Sequence, residues 1–156
     1  MIYVFDTGPF VVLRNYYPAT FKSLWAGLEG LVETGTIVST REVYNELLNF
    51  NDAPFVQEWA KAHKTLFATP ANNELQFVSR IFQETHFRSL IGNKEVLKGT
   101  PVADPFVIAA AAVWKGTVVT QEVLKENAAK IPNVCDHFKI PYTNLEGFMN
   151  AQGWMF

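Results

Sequence analysis

Four acidic side chains, Asp6, Glu46, Asp104 and Glu122, stand where a hydrolytic site can be assembled. Asp6 closes an apolar run over residues 2–5, and Glu122 falls two residues beyond a second run that ends at Thr120. Glu46 and Asp104 fall near helix starts in the units between them. In an open parallel sheet, ligands gather at the carboxyl ends of the strands, where loops of neighbouring units converge. One carboxylate per unit then faces a common point. Crowded carboxylates raise one another's pKa unless a cation shares their charge, and hard ions such as Mg²⁺ and Mn²⁺ take oxygen ligands. One or two such ions, roughly 4 Å apart when paired, bind a phosphodiester, acidify a water and stabilise the leaving oxygen. Hydrolysis of a nucleic-acid backbone is the chemistry that suits this set. The hydroxyls of Thr7 and Thr120, each beside one of the acids, are expected to orient them or to hold a water, although a turn threonine bonding its own backbone is as ordinary a role.

Each acid also has a purely structural reading. Asp6 before Thr7-Gly8-Pro9 terminates a strand and caps the next helix. Asp104 before Pro105 is an ordinary N-cap followed by proline at the first helical position. Glu122, opening a helix over Val123 to about Lys130, gains from the helix dipole alone. Glu46 resists such an account: with Val43, Leu47 and Phe50 as the buried stripe, it edges the core, where a carboxylate needs a partner. Its rival Glu42 is occupied by a capping box with Ser39, so Glu46 is preferred. His63, His86 and His137 have no metal-ligand spacing and receive no role.

The elements that would carry these acids alternate. Residues 2–5 read as a buried strand, followed by a helix from Phe10 to about Asn15 and a stronger one over 20–33, with Phe21, Leu24, Trp25, Leu28, Leu31 and Val32 at helical spacing and Gly35 as its stop. Thr36-Ile37-Val38 reads as a second strand, and Ser39 starts a helix toward Phe50. A later unit opens at Thr100-Pro101, runs through the apolar stretch Phe106 to Trp114 and reaches a strand at Thr117–Thr120. A short strand near Tyr142 and a helix from about Asn144 close the chain, with Leu145, Phe148 and Met149 finishing the core. Strands alternating with helices and no hairpin signal predict an α/β class with a parallel sheet covered on both faces. Residues 51–99 show no strand pattern; Phe55, Val56 and Trp59, then Leu75, Val78, Ile81 and Phe82, predict a helical insertion over the sheet within a single domain spanning 1–156.

With 156 residues the chain is long enough to bury a core without staples. Hydrophobic residues make up 49%, which excludes disorder, yet no run reaches the eighteen or so that a membrane helix needs. The start lacks the basic lead of a signal peptide, and the single Cys135, read as a small core residue, fits a reducing cytoplasm and leaves no cysteine cluster for zinc. Thirteen basic against fifteen acidic residues give a net charge of −2, which offers no broad positive surface for phosphates unless part of the acidity belongs to a metal site. Lys61, Lys64, Arg80, Arg88, Lys94 and Lys98, with Phe82 and Phe87, could grip RNA from the insertion, but the interspersed acids make a solvated face the simpler reading.

The segments VFDTGPF, TREVYNELL, ADPFVIAAAA and VVTQE, in that order over residues 4–122, resemble the PIN-domain family and its VapC-like toxins, and IPYTNLEGF resembles that family's closing strand and helix. The resemblance implies a three-layer α/β/α fold and Mg²⁺- or Mn²⁺-dependent cleavage of RNA, often restrained by a small antitoxin protein. It matches Asp6, Glu46 and Asp104 to the family's metal-binding acids and Thr120 to its strand-end threonine. Glu122 stands where many members carry aspartate, a longer arm that bears on a second ion more than on the first.

Two other classes stay open: a Mg²⁺-binding signalling module, for which no lysine follows a strand in the required place, and a degenerate PIN-like module acting through protein partners. Trp154-Met155-Phe156 could dock on a second copy, forming a homodimer, or on an antitoxin, or complete the monomer's own core.

Overall fold

Tyr3, Val4 and Phe5 are all buried, and this continuous apolar run forms β1 (Tyr3–Phe5), the centre of a sheet covered on both faces. A computed structural model describes residues 1–90 and 102–156. Beside β1 lie β2 (Ile37–Thr40) and β4 (Thr117–Val119); β3 (Phe67–Ala68) extends the sheet beyond β2, and β5 (Tyr142–Thr143) beyond β4. Every pairing is parallel, with Tyr3 opposite both Ile37 and Thr117, and Phe5 opposite Val119. The chain therefore winds outward from β1 to β3, then restarts on the other side of β1 with β4 and β5. That reversal places the natural ligand crevice of the sheet at the carboxyl ends of β1 and β4.

The helices are α1 (Thr7–Val12), continued by a 3₁₀ turn to Asn15, α2 (Lys22–Glu33), α3 (Arg41–Leu48), α4 (Pro54–Ala62), α5 (Asn72–Gln83), α6 (Asp104–Trp114), α7 (Ile131–Phe138) and α8 (Leu145–Ala151). Helix α6 buries Val107 to Ala111, and its alanines let it approach closely the strands β1, β2 and β4 below it and the helices α5 and α7 beside it. On the other face the rings of Tyr3 and Phe5 meet Phe148 of α8 edge-on at 4.9 and 5.0 Å. Full burial of one such phenylalanine stabilises by about 1.5–3 kcal/mol. Trp154 packs on Phe148 and covers Gly27 of α2, where a Cβ would stand 2.8 Å from the indole. Trp154 thus completes the monomer's core, while Met155 and Phe156 stay exposed. The result is the expected α/β fold, a parallel sheet between helical layers of PIN-like form. Cys135 is buried, as expected, and burial pushes its thiol up to about 12.

Several boundaries differ from the sequence reading. Thr40, not Ser39, caps α3 by accepting from the Val43 N–H; the Ser39 hydroxyl belongs to β2 and donates to the Phe5 carbonyl. Glu42 is buried against the Arg41 guanidinium at 2.8 Å and forms no capping box. Phe50 lies beyond the end of α3 and is exposed, so Val43 and Leu47 alone mark the buried stripe there. Helix α1 begins at Thr7, three residues before the expected start, and Ala103 rather than Asp104 occupies the N-cap of α6.

The helix expected over Val123–Lys130 is absent. Asn127 takes a left-handed φ of 61°, Val123 and Leu124 find no surface to bury against, and just before the segment the side chains of Gln121 and Glu122 accept from the first N–H groups of other helices. Between residues 51 and 99 the expected helices appear as α4 and α5, but Phe67–Ala68 adds an edge strand too short for periodicity to reveal. The opening at Thr100-Pro101, the end of the insertion, and Lys94 and Lys98 lie outside the described residues.

Candidate active site

Asp6 follows β1 directly, its N–H donating to the Val119 carbonyl at 2.9 Å, so pairing with β4 fixes its backbone. Although it precedes α1, its carboxylate makes no capping bond. Instead Oδ2 accepts the Thr120 hydroxyl at 3.0 Å, and that hydroxyl accepts the Glu122 N–H at 3.2 Å. The tie to Thr120 across the sheet goes beyond the simple capping role expected for Asp6. Burial pushes its pKa up to about 7, reinforced by the nearby Glu46 and Glu122 and opposed by hydrogen bonds from the Thr7 backbone and Thr120.

Asp104 occupies the first turn of α6. Burial first, then the negative charges of Asp6, Glu122 and Glu46, push its carboxyl up to about 9. Glu46, in the last turn of α3 and not near a helix start as expected, accepts the Thr7 hydroxyl on Oε2 and the Ala103 N–H on Oε1 at 3.0 Å. It thereby straps the start of α1 to the start of α6. Glu122 accepts the Ile131 N–H at 2.8 Å and caps α7 from a loop, not from a helix of its own. All four acids line one cleft of about 530 Å³ at the carboxyl ends of the strands, together with Thr7, Gly8, Gln121, Val123 and Lys130. Thr120 stands behind Asp6 and is buried.

The structure thus gathers every sequence-selected acid and both threonines at one place. It also adds two residues that the sequence reading missed. Gln121 accepts the Leu145 N–H at 2.8 Å and pins α8 to the cleft. Lys130, the exposed N-cap residue of α7, forms part of the cleft wall. Neither carried a spacing signal, and the helix expected over 123–130 concealed the approach of Lys130. The histidines stand elsewhere: His63 bonds Glu29 at 2.6 Å, and His137 lies on α7 next to Phe87.

Oxygen donors from four separate elements, two of them held above the ordinary carboxylate range by burial and mutual repulsion, form a donor set that fits a hard divalent cation. Among the described residues no three acidic, histidine or cysteine side chains stand close enough to close around an ion as placed. Glu46 and Glu122 are engaged by Thr7, Ala103 and Ile131, so coordination by them requires exchanging those hydrogen bonds.

Residues 3–156 match the family model described as "Domain of unknown function (DUF4411)". No curated protein matches the chain. Among solved structures, a chain of VapBC2 from Rickettsia felis, crystallised bound to a DNA fragment from their promoter, has a TM-score of 0.55 and 16% identity, covering 92% of this chain and 98% of that one. At that identity the likeness establishes the fold, which is PIN-like.

Proposed function

This chain belongs to the DUF4411 family, and we propose that it is a metal-dependent endoribonuclease, the toxin of a toxin–antitoxin pair. The observation that carries the reading is the convergence of Asp6, Glu46, Asp104 and Glu122, from four elements, on one cleft at the switch point of the sheet. Asp6, Glu46 and Asp104 would hold a first Mg²⁺ or Mn²⁺, with Glu122 reaching it through water or holding a second. When bound there, such an ion polarises a phosphodiester oxygen and makes water acidic enough to attack at neutral pH.

The chain's own groups divide the remaining work. Thr120 holds one oxygen of Asp6, while Thr7 and the Ala103 N–H hold the two oxygens of Glu46. Both are positioning residues. Lys130, in the wall of the cleft, would offer a cation to an RNA phosphate, which otherwise meets four carboxylates. The antitoxin partner and a cytoplasmic setting belong to the same proposal, supported by the motif resemblance and by the VapBC2 likeness, while a homodimer would rest on the exposed Met155 and Phe156. Among the described residues no helix is long and apolar enough to cross a membrane.

The test is RNA cleavage with added Mn²⁺, before and after Asp104→Asn. The variant is expected to lose activity by a factor of at least about 100, the range seen when transition-state charge stabilisation is removed. Equal activity in the two proteins would sink the assignment. Calorimetry showing no Mn²⁺ affinity in the unmodified protein would favour a noncatalytic module acting through partners.

A further inference from the structure

At the opposite end of the sheet from the acids is a second cavity of about 550 Å³, a size within the range of small-molecule sites. Gly116 and Pro141, which immediately precede β4 and β5, form part of its wall, so it opens at the amino ends of those strands. We infer that this cavity is a nucleotide-binding site, with Lys115 and Lys139 receiving the phosphate and the cluster of Arg80, Phe77 and Phe138 receiving the base. The inference goes beyond the nuclease reading and does not depend on it.

Three observations point to this ligand chemistry. Among the described residues the cavity is lined by Arg80, Lys115 and Lys139 and by no carboxylate, although the chain as a whole carries a net charge of −2. Arg80 sits over two rings at once, its guanidinium carbon 5.5 Å from the centroid of Phe77 and 5.3 Å from that of Phe138. A guanidinium held in this way presents a planar, weakly hydrated surface on which a base stacks. Lys115 and Lys139 are the C-caps of α6 and α7, and both adopt left-handed backbone, at φ 54° and 57°.

A glycine would adopt that backbone without the steric penalty a lysine meets. A favourable interaction with the helix dipole accounts for a cation at either end singly. It does not account for both lysines opening on one aromatic-lined cavity. Paired ammonium groups are suited to a phosphate, and adjacent ring and guanidinium faces to a base. Acidity stands at the rim, where Glu84 lies 3.9 Å from the His137 imidazole and Asp136 precedes His137 on α7, so His137 is not counted among the ligand's partners.

The same chemistry is offered by a free mononucleotide and by one unit of an RNA strand. Helix α6 runs from Asp104 in the acidic cleft to Trp114 just before Lys115, about 16 Å for its 11 residues at 1.5 Å per residue. A strand occupying both places must span at least that distance.

The experiment titrates adenosine 5′-monophosphate into the metal-free full chain by calorimetry, with adenosine and inorganic phosphate as separate probes. Saturable binding is expected, tighter for the nucleotide than for either fragment and at least tenfold weaker in the double variant Lys115→Gly/Lys139→Gly. Glycine is at home at both backbone positions, so this variant is expected to keep its melting temperature; Arg80→Gln serves as a second variant that leaves the caps untouched. A short oligoribonucleotide blocked at its 2′-hydroxyls then separates the sources. Parallel weakening of its binding assigns the site to an RNA strand, and weakening of mononucleotide binding alone assigns it to a free nucleotide. No saturable mononucleotide binding, binding unchanged in both variants, or binding of polyglutamate in place of the nucleotide would overturn the inference.

Discussion

The Thr120 hydroxyl donates to Asp6 Oδ2 across 3.0 Å and so ties the carboxyl end of β4 to that of β1. Because its oxygen also accepts the Glu122 N–H, one hydroxyl fixes both the first acid and the loop that carries the fourth. The replacement Thr120→Val keeps the shape and the strand preference but removes both bonds. It is expected to weaken Mn²⁺ affinity about 10- to 100-fold, as loss of a ligand-orienting partner does. Thr120→Ser, which keeps the hydroxyl, should restore most of that affinity. Calorimetry of the three proteins decides, and unchanged affinity in the valine variant would show that Thr120 positions nothing.

The raised carboxyls of the site make a pH prediction of definite sign. Both groups ionise near 3.8 in the unfolded chain, but near 7 for Asp6 and 9 for Asp104 in the folded protein. Well below pH 3.8 both states are protonated and neither group affects stability. As pH climbs, the unfolded chain releases protons that the folded protein retains, so metal-free stability falls until the pH passes the folded value of each group. Asp104→Asn removes that penalty and is expected to raise the metal-free melting temperature at pH 8 while changing it little at pH 4. Thermal melts at the two pH values measure the difference. A gain of the same size at both would mean that ionisation of Asp104 is not its source.

How far these features were legible in the sequence differs from residue to residue. Asp6 was readable because three consecutive buried residues leave a strand no alternative, and its end then places the carboxylate. Glu46 was reached by partly mistaken steps. The capping box assigned to Ser39 and Glu42 does not exist, and Phe50 is exposed; what makes Glu46 distinctive is its bond to the Ala103 N–H, 57 residues away. Contacts at that separation leave no periodic trace in a single chain. Lys130 and Gln121 were hidden for the same reason, and β3 because two residues cannot display an alternation. Helix α6, in contrast, announced itself through an apolar stretch that could only be buried.

Glu122 has two separable roles. Its carboxylate caps α7 through the Ile131 N–H, and its charge faces the cleft. Glu122→Gln retains a carbonyl oxygen for the cap and removes the charge. It should therefore keep the folded stability of the metal-free protein, or raise it slightly by easing repulsion on Asp104, while weakening Mn²⁺ binding. Glu122→Ala loses both roles and is expected to destabilise by about 0.5–2 kcal/mol, the usual cost of deleting a helix cap. Chemical denaturation with a parallel metal titration distinguishes the two variants. Equal stability loss in both would mean that charge, not capping, holds Glu122 in place.

Among the described residues that line the cleft, Lys130 is the one whose charge favours a polyanion, and its effect should be confined to RNA. As the N-cap of α7 it contributes through its backbone, so Lys130→Met leaves the cap geometry intact and retains most of the aliphatic stem. Mn²⁺ affinity is expected to stay constant or tighten, since a like charge has left the site. RNA affinity should fall, and the slope of its logarithm against that of salt concentration should shrink by about 0.7, the share of one single-strand phosphate contact. In cleavage kinetics the loss should appear mainly in KM if Lys130 grips a phosphate equally in ground and transition states, and in kcat if it meets charge that develops only at the reacting phosphorus. The acids surround the place where that charge would appear, whereas Lys130 stands at the mouth of α7 beside Val123, so the KM effect is the expected one. A lower kcat with an unaltered salt slope would instead move Lys130 from holding the strand to stabilising the reaction itself.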